Sequence, residues 1–375
     1  MTRRWLDLVV TVSTTLSFVL SMPAYSTTRS SLVVASAPAV TSATLGSGGQ
    51  GFSAMSFASV RVGCAAGQSL IICTKDGGHS WHTSYRGGAS LTQLEFATPS
   101  IGWAVGPSLL LATVDGGRTW QQRAVLPGLL AVDFVTPRDG WAVTMHGLSV
   151  THTGGSSWAS DPTPTRPRVV AFLNRTVGWM FGYNGTIFRT TTGGRAWVSQ
   201  WTAPVGRDWT YGKAQLVVTS RSVGWLLLTL GQGCSSQEPY ILYSTDVGGR
   251  YWQARLVDGA ACGGPGYPPP GATEGPGGYP GTMSALGAQA WVAVASPASS
   301  AGDVAMTRDG GRTWSEATPF RTLGTGGLTA VDFVDMQQGW AITINEGRHP
   351  WGGRILHTAD GGRTWVQQFV GRPGS

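Results

Sequence analysis

From residue 51 onward, apolar positions fall in short runs of strand length with turn-forming residues between them. The stretch Leu91 to Ala97, Gly102 to Gly106, Leu109 to Thr113 and Thr119 to Arg123 shows four such runs in succession. The unit then recurs. Its clearest marker is an octapeptide repeated seven times, read as Thr74 to Trp81, Thr113 to Trp120, Thr151 to Trp158, Thr190 to Trp197, Ser244 to Trp252, Thr307 to Trp314 and Thr358 to Trp365. Five copies carry an acid, Asp76, Asp115, Asp246, Asp309 and Asp360; Thr153 and Thr192 replace it in the third and fourth, and the fifth reads as one residue longer. Each box ends on Trp, at 81, 120, 158, 197, 252, 314 and 365.

Upstream of each box a second motif recurs, as in Gly102-Trp-Ala-Val105, Gly140-Trp-Ala-Val143 and Gly339-Trp-Ala-Ile342, with Cys64 in the Trp place of the first repeat. A third apolar run precedes it, as in Leu94-Glu-Phe96, Val132-Asp-Phe134, Val170-Ala-Phe172 and Val331-Asp-Phe333. A four-stranded antiparallel unit used seven times fits a propeller blade. One blade cannot cover both faces of its sheet, so neighbours supply the cover and ring closure removes the open ends. The expected fold is all-β, a seven-bladed propeller over residues 51–375. Blade 7 should close on blade 1 near residues 52 to 81. The boxes fall between third and fourth strands, where Asp or Thr can accept backbone N–H bonds, the Gly pair permits positive φ, and Trp anchors packing between blades. Isolated carboxylates supply too few oxygens for calcium, so the boxes read as structural and no metal or cofactor is expected.

These motifs resemble the Asp-box (BNR) repeats of sialidases, other glycosidases and sortilin-type receptors. The box combined with Gly-Trp-Ala-Val is most similar to the photosystem II assembly and stability factor family of seven-bladed propellers, and the match runs over residues 52 to 370. The resemblance implies a non-enzymatic assembly factor acting through protein contacts; it is specific for the scaffold, which many functions share.

Composition narrows the setting. Gly and Pro together make up about a fifth of the chain, 17 Trp are present, and charged residues reach 12 %, half the ~25 % of an ordinary soluble domain. A disordered chain is excluded, since it would lack aromatics to bury. The net charge of +7 is spread along the sequence, which argues against nucleic acid as a partner. Arg3 and Arg4, the uncharged run Leu8 to Met22, and Pro23, Ala24 and Ser26 read as a signal peptide over 1–26. The alternative is an uncleaved N-terminal anchor, the one expected link to a membrane. Residues 27–50 read as a Ser/Thr/Ala-rich linker, and the mature protein as an exported monomer. Of four cysteines, Cys234 and Cys262 fall in Gly/Pro-rich inserts and form the candidate disulfide. Cys64 and Cys73, taken to meet only diagonally, read as buried thiols.

Consecutive antiparallel strands turn alternately at opposite ends. The boxes therefore share a face with the 1–2 loops, and the long inserts at 199–214, 231–239, 257–283, 296–303 and 345–353 share the other. Loops on a rigid scaffold commonly carry binding. Trp201, Arg207, Trp209 and Tyr211 in the first insert, with Arg348 and Trp351 in the last, are the candidate contacts for an extracytoplasmic protein or carbohydrate. The competing reading is a glycoside hydrolase using two of the insert-face acids Asp208, Glu238, Asp258, Glu274, Asp303 and Glu346. The Arg-Ile-Pro motif of sialidases is absent from the chain.

Overall fold

The computed structural model describes residues 33–35, 51–204, 211–231, 238–258, 269–296, 301–317, 327–343 and 353–370. Seven antiparallel sheets follow one another around a ring, and no helix occurs among the described residues. Blade 3 shows the plan. Its strands Leu129–Phe134, Gly140–Thr144, Gly147–Thr151 and Ala159–Asp161 pair in sequence order, the first lying innermost. Blade 1 differs in that its second and third strands run on as Gly63–Thr74, folding back where Ser69 takes a φ of 63°. Blade 5 has two additions. Thr273–Gly275 lies parallel to its outer strand, and the backbone of Val33–Ala35, within the linker segment, runs antiparallel to its inner strand Tyr211–Val218.

The repeated motifs explain how one blade is fastened to the next. The Trp of the Gly-Trp motif is buried in every blade that has it, and in four of them, at Trp103, Trp141, Trp291 and Trp340, it lies flat on the inner-strand Phe of the following blade. Trp103 stacks on Phe134 at 3.6 Å, Trp141 on Phe172 at 3.4 Å and Trp291 on Phe333 at 3.9 Å. Each Phe then meets its own blade's box Trp edge-on, as Phe134 meets Trp158 at 6.0 Å. Edge-to-face pairs of this kind add to the area they bury. The motif's Gly follows from the same ring, because a Cβ on Gly140 would lie 2.4 Å from Phe134. Where the inner strand has Ala285 instead of Phe, the motif has Ala290.

The acid before the Phe closes the inner rim. Glu95 accepts the Phe134 N–H at 2.7 Å, Asp133 accepts that of Phe172, and Asp332 accepts that of Phe57 at 2.6 Å. Each bond joins a blade to its successor, and the last closes blade 7 onto blade 1. Trp340 stacked on Phe57 at 3.6 Å and Gln368 bonded to the Gly77 carbonyl complete that closure.

The box turns behave as their residues require. In the second, Asp115 accepts from the Thr119 N–H at 2.9 Å and from the hydroxyls of Thr113 and Thr119, while Thr113 accepts the Gly117 N–H. Gly116 and Gly117 take φ of 72° and 79°. Thr153 and Thr192 accept the equivalent N–H of Ser157 and Ala196 with a hydroxyl. The fifth box is corrected by its hydrogen bonds. Thr245 accepts the Gly249 N–H, which puts Thr245 in first position and leaves no extra residue. Val247 then stands in the acid's place, and Asp246 is an exposed second-position residue without the box role its sequence suggests.

Cys64 and Cys73 are also corrected. They form a disulfide, with Cα atoms 4.1 Å apart. Gly63 and Thr74 correspond to Gly102 and Thr113, which pair directly, so Cys64 faces Cys73 as Trp103 faces Ala112. The pair is opposed, not diagonal, and it fills the place of the missing Trp. A Cβ on Gly117 of blade 2 would lie within 2.6 Å of both sulfurs. Cys234 and Cys262 lie outside the described residues.

Candidate binding face

The two faces are chemically distinct. On the box face the first Gly of every box donates to its own blade's 1–2 loop, from Gly77 to Arg61 at 2.9 Å around to Gly361 to Gln337 at 2.9 Å. The box carboxylates are consumed in these turns. Burial alone would raise the Asp115 and Asp360 pKa values, but the N–H and hydroxyl donors of Thr119 or Thr364 and the first-position Thr hold both near 2. Ser80 hydrogen bonds lead the same downward shift at Asp76, and those of Thr313 lead it at Asp309. Such acids are charged but already satisfied. Among the described residues no group of three His, Cys, Asp or Glu could hold a metal ion.

The insert face centres on the junction of blades 4 and 5. Arg168 opens the inner strand Pro167–Phe172, is buried, and donates to the Gly212 carbonyl of blade 5. Arg166 precedes it and is exposed. The 2–3 turn of blade 4 brings Tyr183 between them, with guanidinium carbons 3.8 Å (Arg166) and 4.1 Å (Arg168) from its ring centre. Both distances lie inside the ~6 Å range of cation–π attraction. The Tyr183 N–H donates to the Arg166 carbonyl at 3.0 Å, which fixes the turn beneath the ring. Next to this group Glu238 accepts from Thr229 at 2.7 Å and faces the exposed Lys213 at 3.8 Å. The result is a cationic ledge on which Arg166 and Lys213 are exposed, with one half-buried aromatic plane.

Of the sequence-derived contacts, Trp201 is half-buried between blades 4 and 5, 5.0 Å from Tyr243 and 6.4 Å from Trp252. Tyr211 begins the inner strand of blade 5. Arg207, Trp209, Arg348 and Trp351 lie outside the described residues, as do Asp208 and Glu346. Glu238 is held by Thr229 as above, Asp258 is buried in the outer strand of blade 5, and Glu274 is exposed beside it. Asp303 lies two residues along its strand from Ala305, which pairs with Glu316; burial, and after it the Asp303 charge, raises the Glu316 pKa. Arg166, Arg168 and Tyr183 carry no mark in the sequence beyond their position at blade connections, and sequence reasoning missed them.

The fold is that of a seven-bladed β-propeller, and the chain is a BNR-type propeller resembling the photosystem II assembly factors. The family described as photosynthesis system II assembly factor YCF48 matches residues 86–207, from the outer strand of blade 1 through blade 4. Among solved structures, one described as YCF48 bound to D1 peptide is 20% identical over 74% of this chain and 82% of its own, with a TM-score of 0.49. U3-55K is 12% identical over 80% and 91%, with a TM-score of 0.55, a likeness of fold. A GH74 xyloglucanase from Xanthomonas campestris is 13% identical over 82% and 62%, with a TM-score of 0.31. The curated proteins contain no match.

Proposed function

We propose that the chain is an exported, non-enzymatic binding protein of the assembly-factor type that receives a polypeptide partner on its insert face at blades 4 and 5. The observation that carries this reading is the pair of guanidiniums stacked on Tyr183, the Arg166 one exposed. Stacked Arg and aromatic groups are favoured interface anchors, matched to the carboxylates and planar amides of a polypeptide. The family match spans these residues, and its description is that of an assembly factor. Arg207, Trp209 and Tyr211 adjoin the ledge in sequence and are proposed to extend it, with Arg348 and Trp351 as contacts of blade 7. Trp201 has a packing duty and is proposed to support the ledge from behind. Export is supported by the Cys64–Cys73 disulfide, a bond suited to oxidising compartments.

The test is capture by the immobilised full chain, wild type against Arg166→Ala with Lys213→Ala. The proposal predicts an extracytoplasmic protein retained by the wild type and reduced at least tenfold by the variant, at unchanged melting temperature. Retention of a polysaccharide in its place, or equal recovery by both chains, would overturn it.

A further inference from the structure

We propose that the box face is a docking surface for an anionic lipid bilayer. All its loops are described, so its charges can be counted in full. The sixth box position gives Arg118, Arg195, Arg250, Arg312 and Arg363, and the second gives Lys75 and Arg308; every one is exposed. The 1–2 loops add exposed Arg61, Arg138, Arg175 and Arg221. Each of the seven blades thus supplies at least one cation to one rim. Charge that is scattered along the sequence is gathered by the repeat.

The acids of this face do not project in the same way. Asp76, Asp115, Asp309 and Asp360 are folded back into their turns by three or more hydrogen bonds each, and Asp139 is buried against His152 and Arg175 at 2.9 and 2.8 Å. With Asp246 and Asp335, which are exposed, they leave the rim an excess of four positive charges.

Apolar side chains stand among these cations. Val60, Val114, Val247, Tyr251 and Met336, at loop or turn tips, are 42 to 72% exposed. A protein interface gathers its apolar area into a core with a polar rim. Here the apolar tips are spread over blades 1, 2, 5 and 7 among the basic residues, which suits a headgroup layer, where basic groups meet lipid phosphates and isolated side chains reach the acyl boundary. A lipid surface is therefore favoured over an acidic protein. The insert face would then point away from the bilayer, free for a partner.

The experiment is sedimentation of the full chain with vesicles of phosphatidylcholine alone or with 30 mol% phosphatidylglycerol, using Arg118→Gln/Arg195→Gln/Arg250→Gln/Arg312→Gln and, separately, Val114→Ser/Tyr251→Ser. The N-terminal segment carries Arg3 and Arg4 and would itself favour anionic vesicles, so the deciding readout is the difference between the wild type and the quadruple variant on the same anionic vesicles. The proposal predicts binding at least tenfold stronger to the anionic vesicles, falling steeply with salt and lost about fivefold per arginine removed, with a smaller loss for the apolar pair. Thermal unfolding checks that all variants are folded. Equal binding to both vesicles, or a quadruple variant that binds like the wild type, would overturn it. So would indifference to vesicles combined with arginine-dependent retention on polyglutamate resin, which would assign the face to an acidic protein.

Discussion

Blades 3 and 4 are joined mainly by repeat residues, with one ion pair between 1–2 loops, Arg175 to Asp139, beside them, and blades 4 and 5 mostly by others. At the first junction Trp141 lies flat on Phe172, Asp133 accepts the Phe172 N–H, and the Trp141 indole reaches the Gly193 carbonyl of the next box at 2.9 Å. At the second, Ala171 stands where the clamping acid would be and Val218 where the Phe would be. Trp179 still reaches the Gly248 carbonyl, at 3.3 Å, but the space is filled by Trp201, Tyr243 and Trp252, and the blades are bridged at the opposite, insert-face end of the inner strand by Arg168. The lesson is that repeat motifs are committed to holding the ring. Chemistry free for recognition collects where they lapse, which is where Arg166 and Tyr183 stand.

The largest effect should come from breaking the regular junction. Trp141→Ala empties a fully buried indole site and should cost ~3–5 kcal/mol, read by chemical denaturation. Trp201→Ala, at the other junction and half-exposed, should cost less than half as much; equal losses would mean that Trp201 carries its junction alone. Next in size is the blade 1 variation on the same theme. Cys64→Ser/Cys73→Ser should lose ~2–4 kcal/mol. Cys64→Trp/Cys73→Ala, which restores the pair found as Trp103 and Ala112, should recover most of that and make stability indifferent to reductant. A variant no better than the double Ser would show that blade 1 has diverged beyond the shared geometry.

Acid should then separate the boxes. Asp115 and Asp360 are held near pH 2 in the folded chain, below an ordinary carboxylate near 4. A folded pKa depressed in this way gives stability that is present above pH ~4 and lost as pH falls toward 2. The melting temperature should decline across that window. Asp115→Thr/Asp360→Thr, a replacement the third and fourth boxes already carry at Thr153 and Thr192, should flatten the decline. The smallest effect is a gain. Val247→Asp returns the acid to the fifth box and should stabilise by ~0.5–1 kcal/mol.

Much of the ring was legible because the repeat sets both period and turn chemistry. Seven boxes with Gly pairs and Trp define seven blades, and the closure of blade 7 on blade 1 follows from their number. What escaped depends on register. The fifth box reads as lengthened because Thr245 and Ser244 both suit its first position, and only the Gly249 N–H bond decides between them. Cys64 and Cys73 read as diagonal because the fold-back at Ser69 has no pairing to fix it until aligned with Gly102 and Thr113. The clamping role of Asp133 and Asp332 is visible in the sequence only as an acid inside an apolar run. Arg166 and Tyr183 meet across a blade connection, a proximity that no repeat announces.

If a protein partner is taken at the insert face beside blades 4 and 5, groups placed there should touch it. The most direct test is photocross-linking from p-benzoylphenylalanine placed at Tyr183 and, in a second chain, at Ser156 on the box face. The expected result is a cross-linked polypeptide from position 183 and none from position 156. A partner trapped from 156, with none from 183, would contradict binding at the insert face.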